Sequence, residues 1–355
     1  MKKKVIGILL LIAMVVMAAC GGEDANQSSN EGNGDQEVEA NGSDSQDETI
    51  ELNFSTVSVP GDAHTEGLYV FEEVVEELSE GRIEVEIHHS GSLYAQGNDE
   101  QAVMRGNLEM TYVSANLASE HLPEASMFTA GYMFKDYDHM TGVLNGDIGQ
   151  DLFDKVAEVS GYRPLGAYYL GSRQLNYRDI GREIYTPQDL NGVLLRMPDS
   201  PSWLFLGDAL GANPTPLAFG ELYTALNTGT VDAQDNPLPT VVNANFDEVT
   251  DYVSLTYHLV DSTWPAINED FWQSLDEDLQ TIILQGIEEA RKYVDETNIV
   301  AEEDLIDQLK ESGLTVIEPD REAFMTTVQD AYLNNEDMTS TWDMDLYDEI
   351  QALIE

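Results

Sequence analysis

The sequence is short of cysteine, histidine and lysine, and it holds no second apolar run of membrane-spanning length beyond a short one at its start. Cys20 is the only cysteine in 355 residues, so no intrachain disulfide can staple the fold. The histidines (His64, His88, His89, His121, His139 and His258) show no His-Glu-x-x-His zinc spacing, and no Gly-x-Ser-x-Gly turn offers a partner serine. Asp343, Asp345 and Asp348 lack the central glycine of a calcium loop and read as a solvated helix start. No metal and no cofactor is expected. Basic residues number 16 against 67 acidic ones, a formal net charge of −51. Phosphate-rich partners would be repelled, which excludes nucleic acid and anionic membrane surfaces. An exported surface this acidic fits a saline or an alkaline habitat, where 1 M salt screens charges beyond ~3 Å.

The apolar run belongs to the N-terminus. Lys2, Lys3 and Lys4 precede it, 5–18 is apolar, and Met17-Ala18-Ala19 leads into Cys20. The run is too short for a bilayer core of ~30 Å and ends in small residues, the pattern of a cleaved signal peptide over 1–19. Its end looks like a bacterial lipobox, which implies a lipid on Cys20 and an extracytoplasmic protein held at the outer face of the cell membrane. Loss of the three lysines leaves 13 basic against 67 acidic residues, or −54. The segment 20–48 is Gly, Ser, Asn, Gln, Asp and Glu with almost nothing apolar, so it reads as a disordered acidic tether.

The remaining ~300 residues suffice for two α/β lobes. Ile50, Leu52 and Phe54 alternate with polar residues, followed by Val57, as a strand over 50–57. Leu68, Phe71, Val74, Val75 and Leu78 recur at helical spacing over 64–79, and Ile83, Val85 and Ile87 alternate again over 82–88. A short helix at 99–105 and a strand at 110–113 complete this part. Further on, 147–159 reads as helix, 164–170 as extended, 193–197 as a buried strand, and 201–210 and 219–226 as helices. The longest helical pattern, 275–308, is long enough to cross between lobes, and 315–317 is a last strand. The expected division is 49–170 with about 262–300 in lobe 1, and 171–261 with about 301–355 in lobe 2.

Four stretches carry a resemblance. They are Tyr168-Tyr169-Leu170-Gly171-Ser172-Arg173-Gln174-Leu175; Leu190-Asn191-Gly192-Val193-Leu194-Leu195-Arg196-Met197-Pro198; Leu210-Gly211-Ala212-Asn213-Pro214-Thr215-Pro216-Leu217-Ala218-Phe219-Gly220-Glu221-Leu222-Tyr223-Thr224-Ala225-Leu226; and Asn227-Thr228-Gly229-Thr230-Val231-Asp232-Ala233-Gln234-Asp235-Asn236-Pro237. In this order, with Gly91-Ser92-Leu93 and Glu100 upstream, the chain resembles the solute-binding subunit of a TRAP (tripartite ATP-independent periplasmic) transporter, the DctP family. The resemblance implies a two-lobed periplasmic-binding-protein-like fold, an interlobe ligand cleft, and membrane subunits driven by an ion gradient as partners. It implies no enzyme.

By the same resemblance Arg196 clamps a ligand carboxylate. A guanidinium offers a planar fork of donors that lysine lacks. The alternative for Arg196 is an ion pair with one of the many acidic side chains. Arg173 matches a second cleft arginine, the alternative being a surface or interlobe salt bridge; Asn236 matches an asparagine that bonds the ligand or holds the key arginine, the alternative being a turn before Pro237; and Phe219 matches an aromatic cover, the alternative being core packing at a helix start. Ser114 and Asn116 fall where family members vary their ligand contacts. Val57 and Leu117 replace polar or charged residues of sialic-acid-binding relatives, which favours a smaller or more apolar acid. The rival readings are a membrane-anchored hydrolase acting on an extracellular substrate and an adhesive lipoprotein. No residues select a catalytic carboxylate pair for the first.

Overall fold

The computed structural model describes residues 49–353; the signal segment, Cys20 and the tether lie outside them. The chain opens with a strand–helix–strand unit. β1 (Ile50–Ser55) buries Leu52 and Phe54, α1 (Ala63–Leu78) lays Leu68, Phe71 and Val75 over it, and β2 (Ile83–His88) returns parallel with Ile83 opposite Ile50. Asp62 caps α1 by accepting from the His64 N–H at 2.9 Å, and Glu80 and Gly81 end the turn beyond it with positive φ. α2 (Asn98–Met104) then leads to β3 (Met110–Val113), parallel to the other edge of β1.

The middle of the chain builds a second set of strands. β4 (Tyr162–Pro164) is short, and β5 (Tyr168–Tyr177) runs well past the extended segment that the pattern suggested. β6 (Leu194–Met197) lies parallel to β7 (Asn213–Pro216) on one side and to β8 (Ala233–Pro237) on the other. A 3-10 turn (Phe219–Glu221) precedes the helix Leu222–Thr228, where a single helix over 219–226 was expected.

β9 (Tyr252–Asn268) joins the two sets, and the sequence pattern did not reveal it. Its first part pairs with β5, and with β10 (Thr315–Ile317). Its last residues pair with β3 and β4, Trp264 facing Val113 and Asn268 facing Tyr162. The full order is β2-β1-β3-β9-β5-β8-β6-β7, with β4 and β10 also on β9. A strand central to a sheet buries both faces. Here many of the buried positions are polar (Ser254, Thr256, His258, Asp261), and Pro265 interrupts them, so neither alternation nor a continuous apolar run marks the strand. Between Arg173 and Leu175 the β5–β9 register jumps from Leu259 to Ser254, a bulge that carries Tyr257 at φ 47° and brings His258 behind β8.

The fold is α/β and two-lobed, and the helix Glu277–Ser312 runs through both lobes. At 1.5 Å per residue its 36 residues span ~54 Å. Ile283, Ile287, Ala290 and Val294 pack with β1 and α1, while Leu305 and Leu309 pack with Val253 and Leu255 of β9. The contact with α1 is close: a Cβ on Gly67 would fall 2.5 Å from Val294 Cγ2, and one on Gly286 would fall 2.6 Å from Val75 Cγ2. The helix also ties β5 in place. Asp295 accepts from the Tyr169 N–H at 2.7 Å, and Asn298 donates to the Tyr169 carbonyl at 2.8 Å.

Candidate functional site

A cavity of about 150 Å³ opens where the lobes meet, several times the ~30 Å³ that a water molecule occupies in the liquid. The loop after β1 contributes Thr56, Val57 and Ser58, the starts of α1 and α2 contribute His64 and Asp99, and the end of β3 contributes Tyr112 and Ser114. From the other lobe come Arg173, Asn236, Trp203 and Phe219, and β9 supplies Asp261 and Thr263. Strand ends and helix starts converge here, as in open α/β sheets generally.

Arg173 stands in the wall with its charge already matched. Its Nε donates to Asp261 Oδ2 at 2.7 Å, and its Nη1 donates to the Asp235 carbonyl at 2.6 Å and to Asn236 Oδ1 at 3.2 Å. Its guanidinium carbon sits 4.3 Å from the Trp203 ring centroid. Behind it Asp235 Oδ2 lies 3.2 Å from Nε2 of the fully buried His258, whose Nδ1 meets Thr256 Oγ1 at 2.7 Å. Asn236 holds Arg173 with its oxygen and donates to Gln234 Oε1 at 2.5 Å.

Arg196 differs in kind. It is 1% exposed, on β6, and is not among the residues that line the cavity. Its Nε donates to the Leu217 carbonyl at 2.8 Å and its Nη2 to Gln96 Oε1 at 3.1 Å. No carboxylate lies within ion-pair distance of it among the described residues. Burial draws its pKa down to about 9, opposed by the charge of Asp235 and aided by that of Arg173. A charge taken out of water without a partner is costly, so the site favours an incoming anion. Gln96 Oε1 also accepts from the Phe219 N–H at 2.9 Å, so one amide oxygen joins two donors across the cleft.

The other expected site residues divide. Phe219 is in the wall, its ring edge-on to Phe246 at 5.6 Å, and Ser114 is in the wall at the start of a short helix. Asn116 is 1% exposed and outside the wall, with neither amide atom partnered among the described residues. Val57 and Leu117 do line the cavity, but beside three aspartates and a histidine, so the wall is more polar than those two residues suggested. Gln96, His64, Asp62, Trp203 and Asp261 were not foreseen. A Trp following the capped Ser200-Pro201 helix start is the one signal that could have pointed to any of them.

Two carboxyls of the wall are perturbed in opposite directions. Burial pushes the Asp99 carboxyl up to about 6, against the N–H groups of Glu100 and Gly97 that bond it. Burial would also raise Asp62, but its bonds to the His64 ring and N–H and the attraction of that ring leave it below the ordinary value.

The chain matches the bacterial extracellular solute-binding proteins of family 7, DctP, over residues 54–337. It belongs to that family. It is a TRAP solute-binding protein, a transport component rather than an enzyme. The sialic acid-binding periplasmic protein of Vibrio cholerae is 31% identical over 264 residues, which cover 73% of this chain and 80% of that one. A TRAP periplasmic solute binding protein of Roseobacter denitrificans, solved with bound 3-deoxy-D-manno-oct-2-ulosonic acid, superposes with a TM-score of 0.82 at 39% identity, covering 86% of this chain and 99% of that one. One of Sulfurospirillum deleyianum, solved with succinate, superposes with a TM-score of 0.79 at 28% identity, covering 85% and 98%. Solute-binding proteins of this family are extracytoplasmic, and no helix among the described residues is long and apolar enough to cross a membrane.

Proposed function

We propose that this protein captures a small organic carboxylate in the cleft between its lobes, which we assign to 49–170 with about 262–300 and to 171–261 with about 301–355, and presents it to the membrane subunits of a TRAP transporter. The observation that carries this reading is Arg196, buried and without an ion-pair partner among the described residues. A ligand carboxylate takes the position of Gln96 Oε1, accepting from Arg196 and from the Phe219 N–H. Arg173 and Asn236, fixed to each other and to two aspartates, form a rigid floor, and Phe219 covers the bound solute. Ser114, in the wall, contacts the rest of the ligand, while Asn116, in the short helix that follows, lies outside the wall. Sialic acid, 3-deoxy-D-manno-oct-2-ulosonic acid and succinate, named for the three relatives above, all present a carboxylate. Lobe closure about the solute is the motion that the family's architecture allows.

Residues 1–19 are removed, we propose, and Cys20 carries the lipid that holds the protein at the outer face of the cell membrane, with 20–48 as its tether. Mass spectrometry of the mature N-terminal peptide should show it beginning at a lipid-modified Cys20, and a mature N-terminus with an unmodified Cys20 would refute the anchor.

The test of the site is a thermal-shift screen against small organic acids, with Arg196→Ala alongside. A ligand at 100 times its dissociation constant stabilises by ~2.7 kcal/mol. A midpoint raised in the wild type and unmoved in the variant supports the clamp. A shift retained by the variant removes Arg196 from the site.

A further inference from the structure

Three aspartates stand in the cavity wall, and two of them are paired. Asp62 lies 3.2 Å from the His64 ring, and Asp261 takes the Arg173 Nε at 2.7 Å. Asp99, 5% exposed, has no ion-pair partner among the described residues. Its Oδ1 accepts from the N–H groups of Gly97 and Glu100, each at 2.9 Å, and both donors are neutral. Gly97 follows Gln96, whose Oε1 bonds Arg196 across the cleft. A carboxylate that takes the place of that oxygen therefore comes to rest beside the turn that holds Asp99.

Two carboxylates brought together out of water raise each other's proton affinity. The groups around Asp99 do not relieve this. At the start of α1 the Asp62–His64 pair is matched internally, as is the pair that Arg173 of β5 makes with Asp261 of β9. Arg196 is taken by the solute carboxylate itself. Burial holds the Tyr112 hydroxyl of β3 neutral. Beside Asp99 on α2, Glu100 adds a second buried carboxyl, whose proton affinity the charges of Glu120 and Asp99 both raise. His121 Nε2, 3.6 Å from Glu100 Oε1, answers Glu100 rather than the cavity. Burial has already brought the Asp99 carboxyl up to about 6, so an adjacent anion needs to add little for the proton to stay on near neutral pH. A neutral carboxyl then offers an O–H donor where the carboxylate could only accept.

Resting on the assignment of the solute carboxylate to Arg196, we propose that capture takes up a proton, which converts Asp99 to a neutral acid that donates a hydrogen bond to a solute oxygen. The proton comes from the solvent, so the solute enters with its charge and Asp99 loses its own. Affinity is then highest at acid pH, where Asp99 is protonated beforehand. It falls as pH rises from the range where free Asp99 ionises to the higher range where bound Asp99 does. A solute carrying an ammonium would pair with ionised Asp99 instead and take up nothing.

Isothermal titration of the purified protein tests this with succinate, D-galactonate, D-glucuronate, 3-deoxy-D-manno-oct-2-ulosonate, N-acetylneuraminate and L-glutamate, the tightest binder being carried forward. Near neutral pH its binding heat should differ between phosphate and Tris in the sense of proton uptake. The association constant should fall by up to about tenfold per pH unit above neutrality. Asp99→Asn keeps the acceptor for both N–H groups and carries its own donor. It should take up no proton, lose the pH slope and bind more tightly than wild type at alkaline pH. Equal heats in the two buffers overturn the inference and leave the clamp standing, because Arg196→Ala tests the clamp by loss of binding alone. Proton uptake that Asp99→Asn retains and Glu100→Gln abolishes overturns it too, by moving the proton to Glu100. Weaker binding by Asp99→Asn, with no proton uptake in the wild type, assigns Asp99 to a cation on the solute and overturns it as well. The buffer comparison needs no variant, so it decides the matter if Asp99→Asn fails to fold. No binding of any of these acids overturns the clamp and this inference together.

Discussion

Arg196 and Gln96 meet across the cleft, Nη2 of the arginine 3.1 Å from Oε1 of the glutamine. One sits on β6 and the other just before α2, so the contact links the two lobes without any solute. A hydrogen bond from a charged donor is worth ~1.5–3 kcal/mol. It satisfies the guanidinium in part and holds the lobes together, and a carboxylate oxygen can replace the amide oxygen at both of its donors.

Removing the amide should therefore open the ligand-free protein. Gln96→Ala is expected to shift the closed-to-open ratio by about tenfold, from the loss of ~1.5 kcal/mol or more. Small-angle scattering should record a larger radius of gyration for the ligand-free variant and none of that increase with ligand bound. An unchanged ligand-free radius would show that the lobes are held by other contacts.

Arg196→Met separates function from stability. The side chain is 1% exposed and has no ion-pair partner among the described residues, so replacing it with an apolar chain of similar length removes an uncompensated buried charge. It also leaves the Leu217 carbonyl without its donor and breaks the bond to Gln96 Oε1, which keeps only the Phe219 N–H, and both losses offset part of the gain. A net gain of ~1 kcal/mol is expected, seen as a midpoint higher by about 2–4 °C without ligand. The midpoint should no longer respond to the wild-type ligand. A midpoint lowered by several degrees would mean that Arg196 is mainly a structural residue.

The core of the first lobe should weaken as pH rises. Glu100, 2% exposed, is pushed up to about 7 by burial, with the charges of Glu120 and Asp99 adding to the rise and the Tyr162 hydroxyl opposing it. Its unfolded value is near the ordinary 4.5, so between 4.5 and 7 the folded state binds a proton that the unfolded state has lost. Stability then falls through that window as pH rises, and the full penalty is present above it. Glu100→Gln keeps the acceptor for Tyr162 Oη, 3.0 Å away in the wild type, and removes the charge. Chemical denaturation should show the variant equal to wild type at pH 4 and more stable at pH 8, by on the order of 2 kcal/mol. Parallel pH profiles would show that Glu100 is not the group responsible. Asp99, raised to about 6, leaves a residual slope in both.

Features set within a single element were legible in the sequence. The β1–α1–β2 unit shows its alternation and its 3–4 residue spacing because each element has one buried face. Arg196, Arg173, Asn236 and Phe219 were marked only by the stretches that carry the family resemblance; of the expected residues, Arg196 and Asn116 are not among those that line the cavity. Features that depend on partners distant in the chain stayed hidden. β9 is buried on both faces and filled with polar residues that answer β5 and β8, so no local period exposes it. Gln96 is an ordinary loop residue until Arg196, 100 positions away, is placed beside it. His64 reads as a helix-start residue, and its ring becomes notable only once Asp62 claims one nitrogen and nothing among the described residues claims the other.

Association with the solute should speed up as salt rises. The chain without residues 1–19 carries 13 basic and 67 acidic residues, so an anion approaching from bulk water meets a repulsive field before it feels Arg196. The nearer charges do not reverse that field: Arg173 is neutralised by Asp235 and Asp261, and Asp62 and Asp99 stand in the wall. Screening shortens from ~10 Å at 0.1 M to ~3 Å at 1 M, which removes the long-range repulsion but leaves contacts inside the closed cavity nearly intact. The on-rate should therefore climb with salt while the off-rate stays almost flat. Trp203, packed on the Arg173 guanidinium in the cavity wall, offers the fluorescence signal for a stopped-flow measurement. An on-rate that falls steadily with salt would mean that the field at the cleft mouth is positive despite the surface, and that Arg196 acts at a distance as well as in contact.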